Sequence, residues 1–165
     1  MEKHLKDTLN TVFTEAIKEK GLENKIFVDI KQNNIYFFAY ENKQMLFFIA
    51  LQNPNTRVTK YISEKDILFR TLEKARKNGI NYCGICNFLY CNFYDCNEVS
   101  RRKFKIDGLF KKEDKRFLSL HKEFIIDEEK IKIFRRIAKF YVSNINTHVI
   151  KKQKIKVKTF NNLCE

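Results

Sequence analysis

The stretch Met45-Leu46-Phe47-Phe48-Ile49-Ala50-Leu51-Gln52-Asn53-Pro54 decides the architecture. Its first seven residues are all apolar, without the polar alternation of a strand that keeps one wet face. Such a run is a strand covered on both sides, at the centre of a sheet with helices on each face. Pro54, the one proline of the chain, follows it and opens a loop over residues 52–60. Upstream, residues 26–30 and 35–40 are two shorter strands. Gln32-Asn33-Asn34 and Glu41-Asn42-Lys43 are the turns between the three. Ahead of this meander, Leu5, Leu9, Val12, Phe13, Ala16 and Ile17 repeat at helical spacing over residues 3–19, and Gly21 stops the helix.

Downstream, Ser63-Glu64-Lys65-Asp66 has the form of a capping box, with an acid three residues after the cap. Ile67, Leu68, Leu72 and Ala75 give the helix after it an apolar face, and Asn78-Gly79 ends it. Residues 80–86 and 89–94 are two further strands around Asn87-Phe88. Residues 97–122 show no decisive pattern. Asp127-Glu128-Glu129 starts a third helix, whose buried stripe is Ile131, Phe134, Ile137, Ala138 and Tyr141. In the tail, Ile155, Val157 and Thr159 alternate with lysines, as in a strand with one basic face. The order predicts one α/β domain over residues 1–165, a mixed central sheet flanked by helices. Its core is expected over residues 3–142, with a basic arm over 143–165.

The 165 residues suffice for one core. With 44% apolar residues the chain has enough surface to bury, which excludes disorder. No apolar run approaches the roughly 18 residues of a membrane helix. The polar start, Met1-Glu2-Lys3-His4, does not resemble a secretory signal, so a cytoplasmic location is expected. The five cysteines, an odd number, argue for free thiols rather than a disulfide framework. Cys83, Cys86, Cys91 and Cys96 lie close enough in sequence to pose a zinc site, but their spacing is atypical and their neighbours core-like. Buried thiols are the expectation. His4, His121 and His148 are scattered, and none forms a motif with a cysteine.

The formal net charge is +13, and it is unevenly placed. Residues 1–100 carry 14 Lys and Arg against 12 Asp and Glu, whereas residues 101–165 carry 19 against 8. A Lys-rich composition alone does not produce that asymmetry. Concentrated positive charge is the footprint of a polyanion partner. Three clusters carry it: Arg101, Arg102, Lys103 and Lys105; Lys111, Lys112, Lys115 and Arg116; and Lys151, Lys152, Lys154, Lys156 and Lys158. They are the expected phosphate contacts, to DNA rather than RNA, in salt-sensitive binding of low sequence specificity. Phe104, Phe110 and Phe117 interleave them, either to stack on bases or to anchor the segment to the core.

The order of elements, together with Ala75-Arg76-Lys77-Asn78-Gly79-Ile80-Asn81-Tyr82 and Asn92-Phe93-Tyr94-Asp95, resembles the N-terminal nuclease domain of type I restriction enzyme R subunits. More broadly it is similar to the PD-(D/E)XK nuclease superfamily. The resemblance covers roughly residues 5–142, and the late helix with Arg135-Arg136 fits it too. It implies an Asp near the start of the site's second strand and Glu-x-Lys at the end of its third. These would hold Mg²⁺ or Mn²⁺ for phosphodiester hydrolysis. Asp29 fits the Asp, and Glu15 fits an acid that some members carry on the first helix. Ala50 stands at the Glu position and Gln52 at the Lys position. A methyl group cannot ligate a metal, and a neutral amide lacks the lysine's charge. The resemblance therefore implies a vestigial site of Glu15, Asp29, Ala50 and Gln52, without cofactor, in a non-catalytic nucleic-acid-binding protein. Such a module would serve as a subunit or accessory factor of a nucleic-acid-processing or defence complex. Two alternatives stand beside it. One is an active metal-dependent nuclease with a rearranged site of Glu15, Asp29 and Gln52 or a lysine, Lys31 or Lys60. The other is a small basic protein-interaction factor of the phage or mobile-element inhibitor type.

Overall fold

A computed structural model of the chain describes residues 1–54, 66–97, 100–105, 120 and 125–151. The order is α1 (Lys3–Glu19), β1 (Ile26–Lys31), β2 (Asn34–Ala39), β3 (Met45–Leu51), α2 (Ile67–Lys77), β4 (Tyr82–Cys86), β5 (Tyr90–Asp95), β6 (Ser100–Lys105) and α3 (Glu128–Ile145). The last turns of α3 widen into a π-helical turn, Asn146–Ile150.

All six strands form one sheet in the order β1-β2-β3-β4-β5-β6. Neighbours are antiparallel except β3 and β4, which run parallel with Ile49 beside Gly84, Ala50 beside Ile85 and Leu51 beside Cys86. A parallel pair needs a crossover, and α2 lies within it. The apolar run 45–51 is thus the sheet's interior strand. Phe47, Ile49 and Leu51 enter the core under α1 and α3, while Phe48 and Ala50 enter the core under α2. The arrangement is three-layered, with two helices on one face and one on the other.

Both expected glycine stops are Schellman turns. Gly21 and Gly79 have φ of 70° and 67°, where a side chain would be strained. The amide of Leu22 donates to the Ile17 carbonyl and that of Ile80 to the Ala75 carbonyl, so each chain end folds back on its helix. Two boundaries differ from the sequence reading. The helix α2 starts at Ile67 with Asp66 as its N-cap residue, and residues 63–65 of the expected capping box lie outside the described residues. Asn34, read as part of a turn, opens strand β2; the turn is Gln32-Asn33 alone, with Gln32 at φ 57°.

Strand β6 was not legible. Arg101-Arg102-Lys103-Phe104-Lys105 has a single apolar residue, which hides its alternation. As an edge strand it needs no more, because charged residues there oppose pairing with another chain. Its one anchor is Phe104, stacked on Phe140 of α3 with ring centroids 5.6 Å apart. The long helix also passes residue 142, where the core was expected to end: Ile145, Val149 and Ile150 are buried. The expected tail strand lies outside the described residues.

Helix α3 approaches the sheet closely at Gly84. A Cβ there would lie 2.7 Å from Cε1 of Tyr141, 3.2 Å from Ile49 and 3.3 Å from the Asn92 carbonyl oxygen. Tyr141 is fully buried, and its hydroxyl donates to the Ile85 carbonyl at 3.0 Å, with the Asn92 carbonyl at 3.3 Å. Burial pushes this phenol well above its usual range, so it remains a donor. Tyr141→Phe should cost about 1–3 kcal/mol by leaving buried carbonyls short of a donor. Gly84→Val should cost about 1–3 kcal/mol by overpacking. Urea unfolding midpoints test both, and wild-type stability in either variant would contradict this packing.

Candidate nucleic-acid interface

Cross-strand register fixes which side chains share a face, because directly opposed residues point the same way. On the α2 face, Lys31 of β1 lies opposite Asn34 of β2, and Asn34 lies opposite Ala50 of β3. Gln52 follows β3, with its amide donating to the Cys86 carbonyl at 2.8 Å. The first turns of α2 roof this corner. Together Asn33, Asn34, Phe48, Ala50, Gln52, Ile67, Arg70, Thr71 and Lys74 line an open cavity of about 210 Å³.

Lys74 is held in place. Its ammonium donates to the Tyr36 hydroxyl at 2.6 Å and lies 4.8 Å and 4.9 Å from the ring centroids of Tyr36 and Phe48. Arg70 sits one turn earlier on the same helix face, exposed. The Thr71 hydroxyl is occupied by the Ile67 carbonyl at 2.6 Å. Asn33 has a buried side-chain oxygen without a hydrogen-bond partner. Among the described residues, the lining thus holds three amides and two cations, and no carboxylate.

The residues expected to form one vestigial site are not together. Ala50 and Gln52 share the cavity, but Asp29 does not line it. It lies exposed on β1 opposite Tyr36, one row away on the same face. The strand position beside Ala50 belongs to Asn34, which opens strand β2 there. Glu15 is on the far side of the sheet. Its helix α1 packs with α3, and its carboxylate lies 3.7 Å from Arg135 in an exposed ion pair. The sheet therefore separates Glu15 from Asp29, and the rearranged catalytic set of Glu15, Asp29 and Gln52 cannot converge. Of its lysines, Lys31 flanks the cavity and Lys60 lies outside the described residues. Sequence reasoning missed Asn34, Arg70 and Lys74. The spacing of Arg70 and Lys74 was the available signal.

Mg²⁺ and Mn²⁺ require hard oxygen ligands, usually with at least one carboxylate. The described lining, with two cations and no carboxylate, does not fit a resident divalent metal. The cysteines do not compose a zinc site either. Cys83 and Cys96 pair under α2 with sulfurs 3.6 Å apart, and Cys86 and Cys91 pair on the other face at 3.8 Å. The sheet lies between the pairs, so four thiolates cannot enclose one ion. All four are buried. The hydrogen bond between Cys83 and Cys96 and burial push Cys83 up, and that same bond pulls Cys96 down; burial lifts Cys91.

The basic residues of β6 divide between faces. Arg102 lies opposite Phe93, on the α3 side, whereas Lys103 and Lys105 lie opposite Asn92 and Tyr90, on the α2 side. Lys103 stands 4.1 Å over the Tyr90 ring, an exposed cation–π pair. Arg101 occupies the position opposite Tyr94. Lys151 is exposed just after the π-helical turn. The remaining expected phosphate contacts, Lys111, Lys112, Lys115, Arg116, Lys152, Lys154, Lys156 and Lys158, lie outside the described residues, as do Phe110 and Phe117. Phe104 serves as a core anchor.

Among solved structures, this fold is similar to that of the type IIG restriction endonuclease BpuSI, with a TM-score of 0.56 over 88% of the chain. The identity is 10%, and the chain spans 17% of that enzyme's length. The mixed sheet with its flanking helices is therefore a restriction-endonuclease-like fold. No family model and no curated protein matches the chain. Among the described residues, no helix is long and apolar enough to cross a membrane.

If the cavity lacks only its carboxylates, supplying them should create metal affinity. The variant Asn34→Asp/Ala50→Glu should bind Mn²⁺ measurably by calorimetry, and the wild type should not. Equal Mn²⁺ binding by both would contradict the reading of this corner. Removing zinc should also be without effect: dialysis against a strong chelator should leave Tm unchanged. A fall of more than about 5 °C would mean that a structural metal had been lost.

Proposed function

We propose that this chain is a non-catalytic nucleic-acid-binding protein on a restriction-endonuclease-like scaffold. The observation that supports this reading is the register that sets Asn34 beside Ala50, with Gln52 in the same cavity, so that no carboxylate lines this corner among the described residues. Without carboxylates the site has no means to hold the metal that would polarise the phosphate and generate hydroxide. What it keeps is affinity for negative charge, through Arg70 and Lys74 in the cavity and Lys31, Lys103 and Lys105 on the same sheet face.

The partner is a nucleic acid, DNA in preference to RNA, held mainly through its phosphates. Binding of that kind falls steeply with salt and discriminates weakly among sequences. The similar fold belongs to a much longer restriction enzyme, which favours a role as a subunit or accessory factor of a nucleic-acid-processing or defence complex in the cytoplasm. No cofactor is required for it.

The test is one gel with labelled single- and double-stranded DNA and RNA, in Mg²⁺ or Mn²⁺, scored for retardation and cleavage together. Retardation that weakens with salt, without cleavage, is expected. Metal-dependent cleavage that survives purification and is abolished by Asp29→Ala would refute the non-catalytic reading. Neither retardation nor cleavage would refute nucleic-acid binding and favour a protein partner.

A further inference from the structure

We infer that this cavity, whose described lining holds no carboxylate, is a metal-independent phosphate seat, in which Lys74, Arg70, Asn34 and Gln52 contact phosphate oxygens directly. This deepens the nucleic-acid-binding reading and rests on it for the identity of the phosphate as a backbone diester.

The argument begins with hydrogen-bonding capacity. Lys74 has three N–H donors and spends one on the Tyr36 hydroxyl. Arg70 has no ion-pair partner among the described residues. The side-chain amides of Asn34 and Gln52 line the same space, and neither is hydrogen-bonded to another of the described residues. Beside them, the buried Oδ1 of Asn33 has no donor among those residues. An amide's oxygen and nitrogen exchange places by a half-turn, so this group can present an N–H as readily as an oxygen. A buried polar atom of this kind needs a ligand or water to meet it.

The sign of the ligand follows from charge. Two cations, Lys74 held in place and Arg70 exposed, with no carboxylate in the lining among the described residues, repel a metal ion and attract an anion. The Lys74 ammonium is also pre-positioned, since Tyr36 and Phe48 hold it before any ligand arrives, which lowers the entropy cost of binding. The cavity of about 210 Å³ admits a phosphate group, and it opens on the sheet face that also carries Lys31 and Lys103. A metal-dependent site reaches its phosphate through an ion; this corner replaces that ion with two side-chain cations.

The experiment uses the full chain in EDTA and two probes, inorganic phosphate and a fluorescein-labelled 20-mer duplex. Side-chain amide NMR signals of Asn34 and Gln52 report phosphate, and anisotropy reports the duplex. The variants are Lys74→Met, which keeps the stem on the two rings, and Arg70→Gln; Lys103→Gln probes the sheet edge. Phosphate should shift both amide signals in the wild type and neither in the cavity variants. Each cavity variant should weaken the duplex at least tenfold and reduce the slope of log K against log salt by about 1. Phosphate shifts without duplex binding would uphold the seat and refute the nucleic-acid reading. Duplex binding that Lys103→Gln weakens while both cavity variants leave it unchanged would overturn the seat and spare that reading. A requirement for added Mg²⁺ in either arm would overturn the metal-independent claim.

Discussion

The close approach of Tyr141 to Gly84 sets the spacing between helix α3 and the middle of the sheet. A ring edge occupies the place of a side chain, and the hydroxyl crosses to two strands by bonding near the Ile85 and Asn92 carbonyls. Through Ile85 this reaches the parallel pair, since Ile85 lies beside Ala50. Through Cys86, whose carbonyl receives the Gln52 amide, it reaches the chain leaving β3. The corner that holds the cavity is therefore tied to a tightly packed point of the sheet. Its geometry is set by backbone pairing and buried aromatics rather than by the polar residues that line it.

That separation leaves the shape of the corner independent of the side chains that line it. Asn34, Ala50 and Gln52 make no contribution to the core comparable with Phe47, Phe48 or Ile49. Amides and a methyl group are cheaper to enclose than carboxylates, because there is less charge to desolvate. In the proposed seat, Lys74 and Arg70 face a described lining without a carboxylate, so the corner prefers anions to cations.

Much of this was legible in the sequence. The interior strand followed from an unbroken apolar run, the helix ends from Gly21 and Gly79, and the resemblance from the segment 75–95. The losses have physical causes. Strand β6 carries one apolar anchor, Phe104, so periodicity had almost nothing to register. Asn34 was assigned to a turn because Asn favours turns, and tertiary pairing with Ala50 overrode that preference. That Asp29 lies a row away from the cavity follows from strand pairing, which residue type does not reveal. The division of the cysteines between two faces was visible in the odd–even relation of Cys83 and Cys86, which opposed a zinc cluster from the outset.

The central claim is that phosphate meets side chains here where a related fold would interpose a metal. The most direct measurement is a crystal structure of the chain with a short duplex, grown with Mn²⁺ and recorded at the manganese absorption edge. The account predicts a backbone phosphate oxygen within hydrogen-bond distance of Lys74 and no anomalous peak in the cavity. A manganese peak bridging that phosphate to Asn34 or Gln52 would contradict it.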